Sequence, residues 1–442
     1  MKNKELICVT EYWSLIETKI RLSHFVLALV ALFIVRAFTR RLTSKGPMIW
    51  PLLGIIPSVL LNINDVFNYF ADSLNQSGGT FIIRATCMDR FCGIMTVDTS
   101  SIEYVLKTNF LNYDKGEAFI DIFSDVFRNG IFVADGETWK EQRVALTSVM
   151  HTSWFVESSH SVIQDLVHQK LLKLINKSVK SDKITDLQDL LLRFTFDNIC
   201  ITTFGISPGC LSIELPDVPF VAAFEKAAEL SYYRIFTPTF IWKALRFFSV
   251  GPEKKLKEVT RIVHKFVGEI ITNRRIELCK SGHVNDRSDI LSKLIIKKDP
   301  DTKQQMDDKF SDDMLRDLCL SFILAGRDTT SVALVWFFWL IHEHPHVENL
   351  ILDEIKEFKP ERWIKNGKAV AESQFKFLAF NGGPRLCVGK QFAYIQMKMV
   401  AASILLRYSV KVVGGQTVVP KVTTTLYMKN GLSVNFKPRL KL

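Results

Sequence analysis

The chain has 442 residues, of which 48% are hydrophobic, a globular composition with ample apolar material for a core. Its eight cysteines are scattered without a Cys-x-x-Cys pair, which excludes a small disulfide-stapled scaffold and favours free thiols in a reducing compartment. The formal net charge is +11, but no basic run is interleaved with aromatic residues, so no nucleic-acid partner is expected. The charge favours a membrane surface and an acidic protein partner instead.

Residues 22–38 are almost entirely apolar and lie close to the N-terminus. At ~1.5 Å per residue they would form a helix of about 25 Å, the short end of a membrane-spanning length, with Arg36 able to extend its charge to the headgroups. A cleaved signal peptide is the alternative, but it would have a shorter apolar core and a small-residue cleavage site. The sequence therefore predicts one N-terminal transmembrane helix with its basic flank in residues 1–45, and a cytosolic remainder.

The body of the chain, residues 46–442, begins with a Pro-rich stretch at 46–57 that predicts a stiff linker. Strand-like runs are few: one lies near 81–87, and others flank the turns at Gly414-Gly415 and Asn430-Gly431. Apolar residues recur at helical spacing in the segments 135–150, 160–177, 185–204, 252–280 and 311–341. The sequence therefore predicts one domain that is mainly α-helical, with a minor β-sheet.

The clearest chemical motif is FNGGPRLCVG at residues 380–389, a Gly-rich loop that holds Cys387 directly before a predicted helix. Loop amides and the free N–H groups of a helix N-terminus stabilise a thiolate over a thiol, and a thiolate suits an iron ligand. A structural cysteine in a turn is the alternative. Together, five residues resemble the haem-ligand signature of the cytochrome P-450 family, a group of haem-thiolate monooxygenases: Phe380, Gly383, Arg385, Cys387 and Gly389.

Residues 325–330, AGRDTT, lie in a predicted long helix that Ser311 is placed to cap. Gly326 costs such a helix roughly 1 kcal/mol relative to Ala, so its presence needs a physical reason. The segment is similar to the oxygen-activation segment of the same family. The resemblance implies that Gly326 leaves room for dioxygen above the iron, that Thr329 hydrogen-bonds the oxygen, and that Asp328 helps to bring in protons.

Trp139 and Arg143 are four residues apart in DGETWKEQR, on one face of a predicted helix. The pair matches the family's Trp-x-x-x-Arg segment, and the resemblance implies that it contacts a haem propionate. A surface cation over an aromatic ring is the alternative. The same resemblance places Arg385, two residues before the predicted ligand, at the other propionate.

The resemblance covers nearly the whole chain, and segments such as GIFVADGETWKEQR and FKPERWIKNGK are most similar to the plant fatty-acid omega-hydroxylases. This similarity implies haem b as the cofactor and a long-chain fatty acid or fatty acyl derivative as the lipid substrate. The substrate would be hydroxylated with dioxygen at or near its terminal carbon. The similarity also implies that the protein is located in the endoplasmic reticulum membrane.

Electrons are expected from a partner, because no nicotinamide site is visible in the sequence. Gly78-Gly79 and Gly414-Gly415 are interpreted as turns, since neither belongs to a strand–GxGxxG–helix unit. The expected partner is an NADPH-cytochrome reductase. A basic surface near Cys387, with Arg385 and Lys390, would suit an acidic flavoprotein.

The substrate is expected to enter an apolar cavity beside the predicted long helix. On that helix Phe322 and Ala325 are the predicted lining residues. The other predicted walls are a loop at 114–131 and a turn region at 420–430.

One departure from the family concerns the region between Thr330 and Pro360, which are separated by only 29 residues. The family normally has on the order of a hundred residues there, with a helix that carries a Glu-x-x-Arg pair. No Glu-x-x-Arg occurs between Thr330 and Cys387. Arg362 would then lack the partners of its family counterpart. The sequence therefore predicts an internal deletion near 355–357 and an incomplete cytochrome P-450 fold.

Two alternatives to an active hydroxylase remain open on the sequence alone. The first is a truncated, non-catalytic remnant that retains haem poorly, because a buried charge stripped of its partners costs about 3 to 5 kcal/mol. The second is a haem protein that rearranges an oxygenated lipid without a reductase. The intact Gly326-Asp328-Thr329 set argues against the second, since such a reaction needs no proton delivery to dioxygen.

Overall fold

The structure is a computed structural model of the chain, and its description covers particular residues. These are 23–36, 38–39, 46–50, 53–84, 92–281, 289–296, 310–356, 364–365, 368–369 and 373–439. Two compact units are distinguished, residues 1–102 and residues 103–442. Each unit is described by itself below.

The first unit contains an exposed apolar helix and a small hairpin. The helix, α1, runs over Ser23–Arg36 and spans about 21 Å at ~1.5 Å per residue, which is less than the predicted anchor at 22–38. Strand β1 pairs antiparallel with β2 and starts after Gly78 and Gly79, whose φ angles of +75° and +93° make the predicted turn. The bounds are α2 Ile56–Leu61, α3 Val66–Gln76, β1 Thr80–Arg84, β2 Cys92–Thr96 and, at the unit boundary, α4 Thr99–Glu103.

The second unit is mainly helical, and each of the five segments with helical spacing does form helix. The predicted loop at 114–131 is wrong, because most of it forms α5. The helices are α5 Gly116–Phe127, α6 Gly136–Met150, α7 Ser153–Asp165, α8 Leu172–Lys180, α9 Leu187–Phe204, α10 Pro219–Tyr233, α11 Thr239–Phe247, α12 Gly251–Ser281, α13 Ile290–Ile295, α14 Asp312–Ile323, α15 Thr329–Glu343, α16 Pro345–Lys356 and α17 Lys390–Leu405.

Side-chain caps explain where several of these helices begin. Asp186 accepts hydrogen bonds from the backbone N–H groups of the first turn of α9, and Gly205, with φ +63°, ends that helix. Ser311 accepts from Met314 N at 3.2 Å and starts α14, as the sequence predicted. The caps fix the register in which the apolar faces of these helices meet.

The strands of the second unit form small antiparallel sheets. β7 lies between β3 and β6, and Gly415 and Gly431, at φ +79° and +70°, occupy the two predicted turns between β6 and β7. The bounds are β3 Thr185–Asp186, β4 Ile364–Lys365, β5 Lys368–Ala369, β6 Tyr408–Val412 and β7 Ser433–Pro438. A minor sheet beside a helical body therefore agrees with the prediction.

The core centres on α9 and on one long helix, Asp312–Glu343, which α14 and α15 form together across a turn of π-helix. Among the described helices only this one is long and apolar enough to cross a membrane, but 78% of its apolar part is buried inside the protein. It is therefore a core helix. On α9, Phe194, Phe196 and Phe204 are fully buried against it and its neighbours.

Candidate functional site

The loop at residues 380–389, the Cys387 loop, needs glycine where it approaches the backbone of Leu106. Gly383 has φ +59°, and a Cβ there would overlap the carbonyl oxygen of Leu106. A Cβ on Gly382 would lie 2.8 Å from the ring of Phe375. The loop therefore rests directly on the turn of π-helix at Tyr104–Thr108, which only glycine allows.

Cys387 is held at the end of this loop, directly before α17. Its N–H donates to the carbonyl of Phe380 at 2.8 Å, and its side chain is exposed. Crowding by the surrounding atoms still raises the pKa of the thiol, while the N–H of Gly389, Arg143 and Lys390 act in the opposite direction. The hydrogen-bond donors expected from the sequence are therefore present. Together with the nearby cations they lower the thiol pKa by less than the loss of contact with water raises it.

Two residues of α6, Trp139 and Arg143, lie beside the Cys387 loop. The Trp139 ring stacks under the guanidinium of Arg385, with 4.6 Å between Arg385 Cζ and the ring centroid. Arg143 is half-buried and close enough to Cys387 for electrostatic interaction, and burial lowers the pKa of Arg143. Within the described residues the guanidinium of Arg143 has no hydrogen-bond or ion-pair partner. An unpaired, partly buried cation next to a thiol fits an anionic cofactor whose metal accepts a thiolate ligand.

Arg385 is already engaged by the protein. Its Nη2 donates to Asp135 Oδ1 at 2.6 Å, and both terminal nitrogens donate to the carbonyl of Ala134 at 3.2 Å. The sequence assigned Arg385 to a propionate and did not anticipate Asp135. Its Nε retains a donor that these contacts do not use.

The long helix changes to π-helix at Leu324–Asp328, within the predicted oxygen-activation segment. Turns of π-helix inside α-helices are frequent at functional sites. Thr329 is exposed, and its hydroxyl donates to the carbonyl of Ala325 at 2.5 Å.

Gly326 has a packing reason that the sequence did not predict. A Cβ on Gly326 would lie 2.7 Å from Ile199 Cγ1 on α9, and closer still to Cδ1. The missing side chain therefore makes room for the neighbouring helix, and the space for dioxygen that the resemblance implies stays a prediction.

Asp328 is buried in a network that the sequence did not predict. It pairs with Arg327 at 2.7 Å and hydrogen-bonds Tyr427, while Arg327 also pairs with Glu225 on α10. Burial raises the pKa of Asp328, and Arg327 opposes that rise. Tyr427 and Glu225 are each about a hundred residues away along the chain, so no local motif signals them.

A cavity of about 130 Å³ opens beside Asp328 between α9, α10 and the turn region at 420–430. Polar side chains line much of it, among them Glu225, Glu229, Lys421 and Tyr427. The same turn region meets the long helix farther along, where Trp336 Nε1 donates to the carbonyl of Leu426 at 2.7 Å. The predicted position of 420–430 beside the long helix is therefore observed, although the cavity there is polar.

The other residues predicted for the site that the structure describes pack against neighbouring side chains. Phe380 packs on Tyr394 of α17 with 5.0 Å between ring centroids. Phe322 is buried in the core at 7% exposure. A Cβ on Gly389 would be 3.9 Å from Cys387 Sγ, an ordinary contact. Arg362 lies outside the described residues.

Comparison with known proteins decides the family. The family model described as "Cytochrome P450" matches residues 45–357 and 356–436. This chain belongs to the cytochrome P450 family. It is 36% identical to "Cytochrome P450 86B1" of Arabidopsis thaliana over 92% of this chain and 89% of that protein. It is 30% identical to "Alkane hydroxylase MAH1" of the same plant over 94% of this chain and 98% of that protein.

A solved cytochrome P450 haem domain, titled "Crystal structure of cytochrome P450DA heme domain", shares the fold. Its TM-score is 0.66 at 16% identity, with 90% of this chain and 98% of that chain covered. The predictions of a mainly helical cytochrome P450 fold and of haem b as the cofactor are confirmed. The protein is an oxidoreductase of the monooxygenase type that uses dioxygen, an organic substrate and an electron-transfer partner.

The alignments also contain a gap on the side of this chain. The alignment with the Arabidopsis cytochrome P450 86B1 runs over 500 positions, whereas 92% of 442 residues is only about 407. Roughly 90 positions of that relative therefore have no counterpart here. The two matches to the family model meet at 356–357, directly after α16 ends at Lys356.

Proposed function

We propose that this protein hydroxylates a long-chain fatty acid or fatty acyl derivative at or near its terminal carbon. The observation that carries the substrate class is the 30% identity, over 94% of the chain, with a protein named alkane hydroxylase. An alkane and the tail of a fatty acid present the same unactivated C–H bonds. The omega-hydroxylase-like segments in the sequence support the same class.

The protein residues proposed to hold the haem are those that converge on α6 and the Cys387 loop. Cys387 would ligate the iron, and the unpaired guanidinium of Arg143 would hold a propionate, with Trp139 on the same helix. Arg385 would offer its unused Nε donor to the other propionate. When bound, the haem activates dioxygen, and an axial thiolate favours O–O cleavage.

On the long helix, Asp328 and Thr329 are proposed to hold and move protons. The raised pKa of Asp328 lets it keep a proton closer to neutral pH than an exposed carboxyl group would. The polar cavity beside it has room for water that connects Glu225 to this carboxyl. The Thr329 hydroxyl, one residue on, can turn from the Ala325 carbonyl toward a ligand.

The site of action is proposed to be the endoplasmic reticulum membrane. The exposed apolar helix α1 supports an N-terminal anchor, with the second unit in the cytosol. An NADPH-cytochrome reductase is the proposed source of electrons. Exposed Lys390 and Lys398 on α17, near the Cys387 loop, suit an acidic partner surface.

The second candidate is a truncated remnant with poor haem retention. It is supported by the gap of roughly 90 positions against the cytochrome P450 86B1 relative and by the junction at 356–357. A deletion at this point removes the proposed partners of Arg362. The domain division proposed here is therefore an anchor at 1–45 and a shortened haem domain at 46–442.

The experiment that tests the proposal is the reduced carbon-monoxide difference spectrum of the full 442-residue chain. We expect a thiolate-type band that Cys387→Ser abolishes, because a hydroxyl donates electrons to iron much more weakly than a thiolate. Cys279→Ser is the matched control, since Cys279 is an exposed free thiol on α12. An unchanged band in Cys387→Ser would refute the ligand assignment, and a wild-type chain without the band would favour the remnant.

A further inference from the structure

The Cys387 loop is held in place from two sides by elements that come before it in the chain. On one side Gly382 and Gly383 lie against the backbone of Leu106 and the ring of Phe375. On the other side Arg385 reaches the residues that lead into α6. The second contact is ionic, and within the described residues it is the only ion pair of this loop.

Asp135 is the residue that receives Arg385, and it gathers three donors. Oδ1 accepts from Arg385 Nη2 at 2.6 Å and from the N–H of Lys115 at 3.0 Å, and Oδ2 accepts from the N–H of Gly116 at 3.0 Å. The side chains of Asp135 and Arg385 are only 18% and 12% exposed. Charge-assisted hydrogen bonds of this length and burial are strong and directional.

The position of Asp135 suggests a helix cap, but its contacts do not. It directly precedes Gly136, the first residue of α6, yet its side chain makes no capping hydrogen bond to that helix. Both carboxylate oxygens point instead to Arg385 and to the start of α5. The carboxylate therefore joins three segments: the Cys387 loop, the start of α5 and the start of α6.

We propose that Asp135 is a positioning residue for the cysteine ligand. Through Arg385 it fixes the Cys387 loop against α6, the helix that carries Trp139 and Arg143. The stacking of Arg385 on Trp139 keeps the guanidinium in the plane that meets both Asp135 and the Ala134 carbonyl. This inference rests on the proposed function insofar as Cys387 binds the haem iron.

The consequence concerns the shortened chain in particular. Leu106, Ala134 and Asp135 all precede the predicted deletion at 355–357, so these contacts do not depend on the missing segment. Asp135 then supplies an anchor for the ligand loop that remains when the partners of Arg362 are gone. Loosening this anchor should increase the motion of the loop and weaken the iron–sulfur bond.

The test compares Asp135→Asn with two other variants, each made in the full 442-residue chain and measured as purified. Glu137→Gln is the matched control, because Glu137 is an acid of the same helix end but its side chain is 80% exposed, and among the described residues it pairs only with Lys140. Asp135→Glu is the conservative variant, which keeps the charge. The first measurement is hydrogen–deuterium exchange of peptides that cover 380–389, and the second is haem loss to an acceptor protein with the ferrous carbon-monoxide spectrum.

We expect Asp135→Asn to speed both exchange at 380–389 and haem loss by about tenfold, with partial loss of the thiolate-type band. Asp135→Glu should recover most of each effect, and Glu137→Gln should match wild type. Equal behaviour of Asp135→Asn and Glu137→Gln would overturn the proposal. If Asp135→Asn raises exchange throughout the chain, Arg385→Lys decides instead, since it keeps the charge but loses the planar guanidinium that reaches both Asp135 and the Ala134 carbonyl.

With Arg385→Lys, faster exchange confined to 380–389 supports the proposal, and unchanged exchange refutes it. The exchange measurement does not require haem. A wild-type chain that lacks the thiolate-type band would therefore defeat the proposed function, while the exchange comparison still decides the role of Asp135.

Discussion

Replacing Gly326 by Ala tests why the long helix carries a glycine at its turn of π-helix. The new Cβ would lie 2.7 Å from Cγ1 of Ile199, a residue that is only 4% exposed on α9. Overpacking of this kind costs roughly 2 kcal/mol, whereas Ala is about 1 kcal/mol better than Gly inside a helix. We therefore expect Gly326→Ala to lower the free energy of unfolding by about 1 kcal/mol.

A double-mutant cycle isolates the contact. Ile199→Ala alone should cost about 3 kcal/mol because it leaves a cavity. In the double variant the atoms that collide are gone and the new methyl group fills part of that cavity. The combined loss should therefore be smaller than the sum of the two single losses by roughly 2 kcal/mol.

The assay is denaturant unfolding of the four full-length proteins, followed by far-ultraviolet circular dichroism. Gly268→Ala on α12 is the matched control, since a Cβ at Gly268 meets no atom within 4 Å. It should leave stability unchanged or raise it by up to about 1 kcal/mol. Additive losses of stability for Gly326→Ala and Ile199→Ala would refute helix packing as the reason for Gly326. They would favour the alternative that Gly326 leaves space for dioxygen above the haem.

Two further predictions concern the long helix. Thr329→Ala should retain haem but divert electrons from NADPH to peroxide, because the oxygen loses its hydrogen-bond donor; normal coupling of NADPH use to product would contradict this role. Burial raises the pKa of Asp317 to about 6, so the unfolded carboxyl group, at 3.8, releases its proton first and the free energy of unfolding falls by about 3 kcal/mol as pH rises from about 4 to 6. Asp317→Asn should remove that loss, so the variant should be more stable than wild type at pH 8 but not at pH 4. Denaturant unfolding at the two pH values measures this. An equal difference in stability at pH 4 and pH 8 would contradict the raised pKa of Asp317.

The helical body was predictable because burial leaves a period of 3.6 in the sequence. The same signal existed in α5, where Ile122, Phe123, Val126 and Phe127 are buried at helical spacing. The sequence analysis nevertheless predicts a loop there, as a wall of the substrate cavity. Local periodicity was the better guide at this position.

The candidate site was predictable where its residues are close in sequence. The Cys387 loop, the Trp139–Arg143 pair and the turn at 324–328 each carry a local pattern. Their partners do not: Asp135 is 250 residues from Arg385, and Glu225 is 102 residues from Arg327. A local motif can therefore point to Arg385 or Arg327, whereas Asp135 and Glu225, which pair with them, are brought there by the fold.

The same distinction bears on the predicted deletion at 355–357. The contacts that the structure shows for Arg385 lie in α6 and in the segment before it, and these precede the deletion by about two hundred residues. The partners that Arg362 would need belong to the missing segment. Since a buried charge without partners costs several kcal/mol while an intact ion pair is unaffected by a distant deletion, we expect the deletion to affect Arg362 and the Cys387 loop differently. The deletion should therefore weaken haem binding around Arg362 and leave the Cys387 loop anchored to α6, which makes Asp135 more consequential in this chain than in a full-length relative.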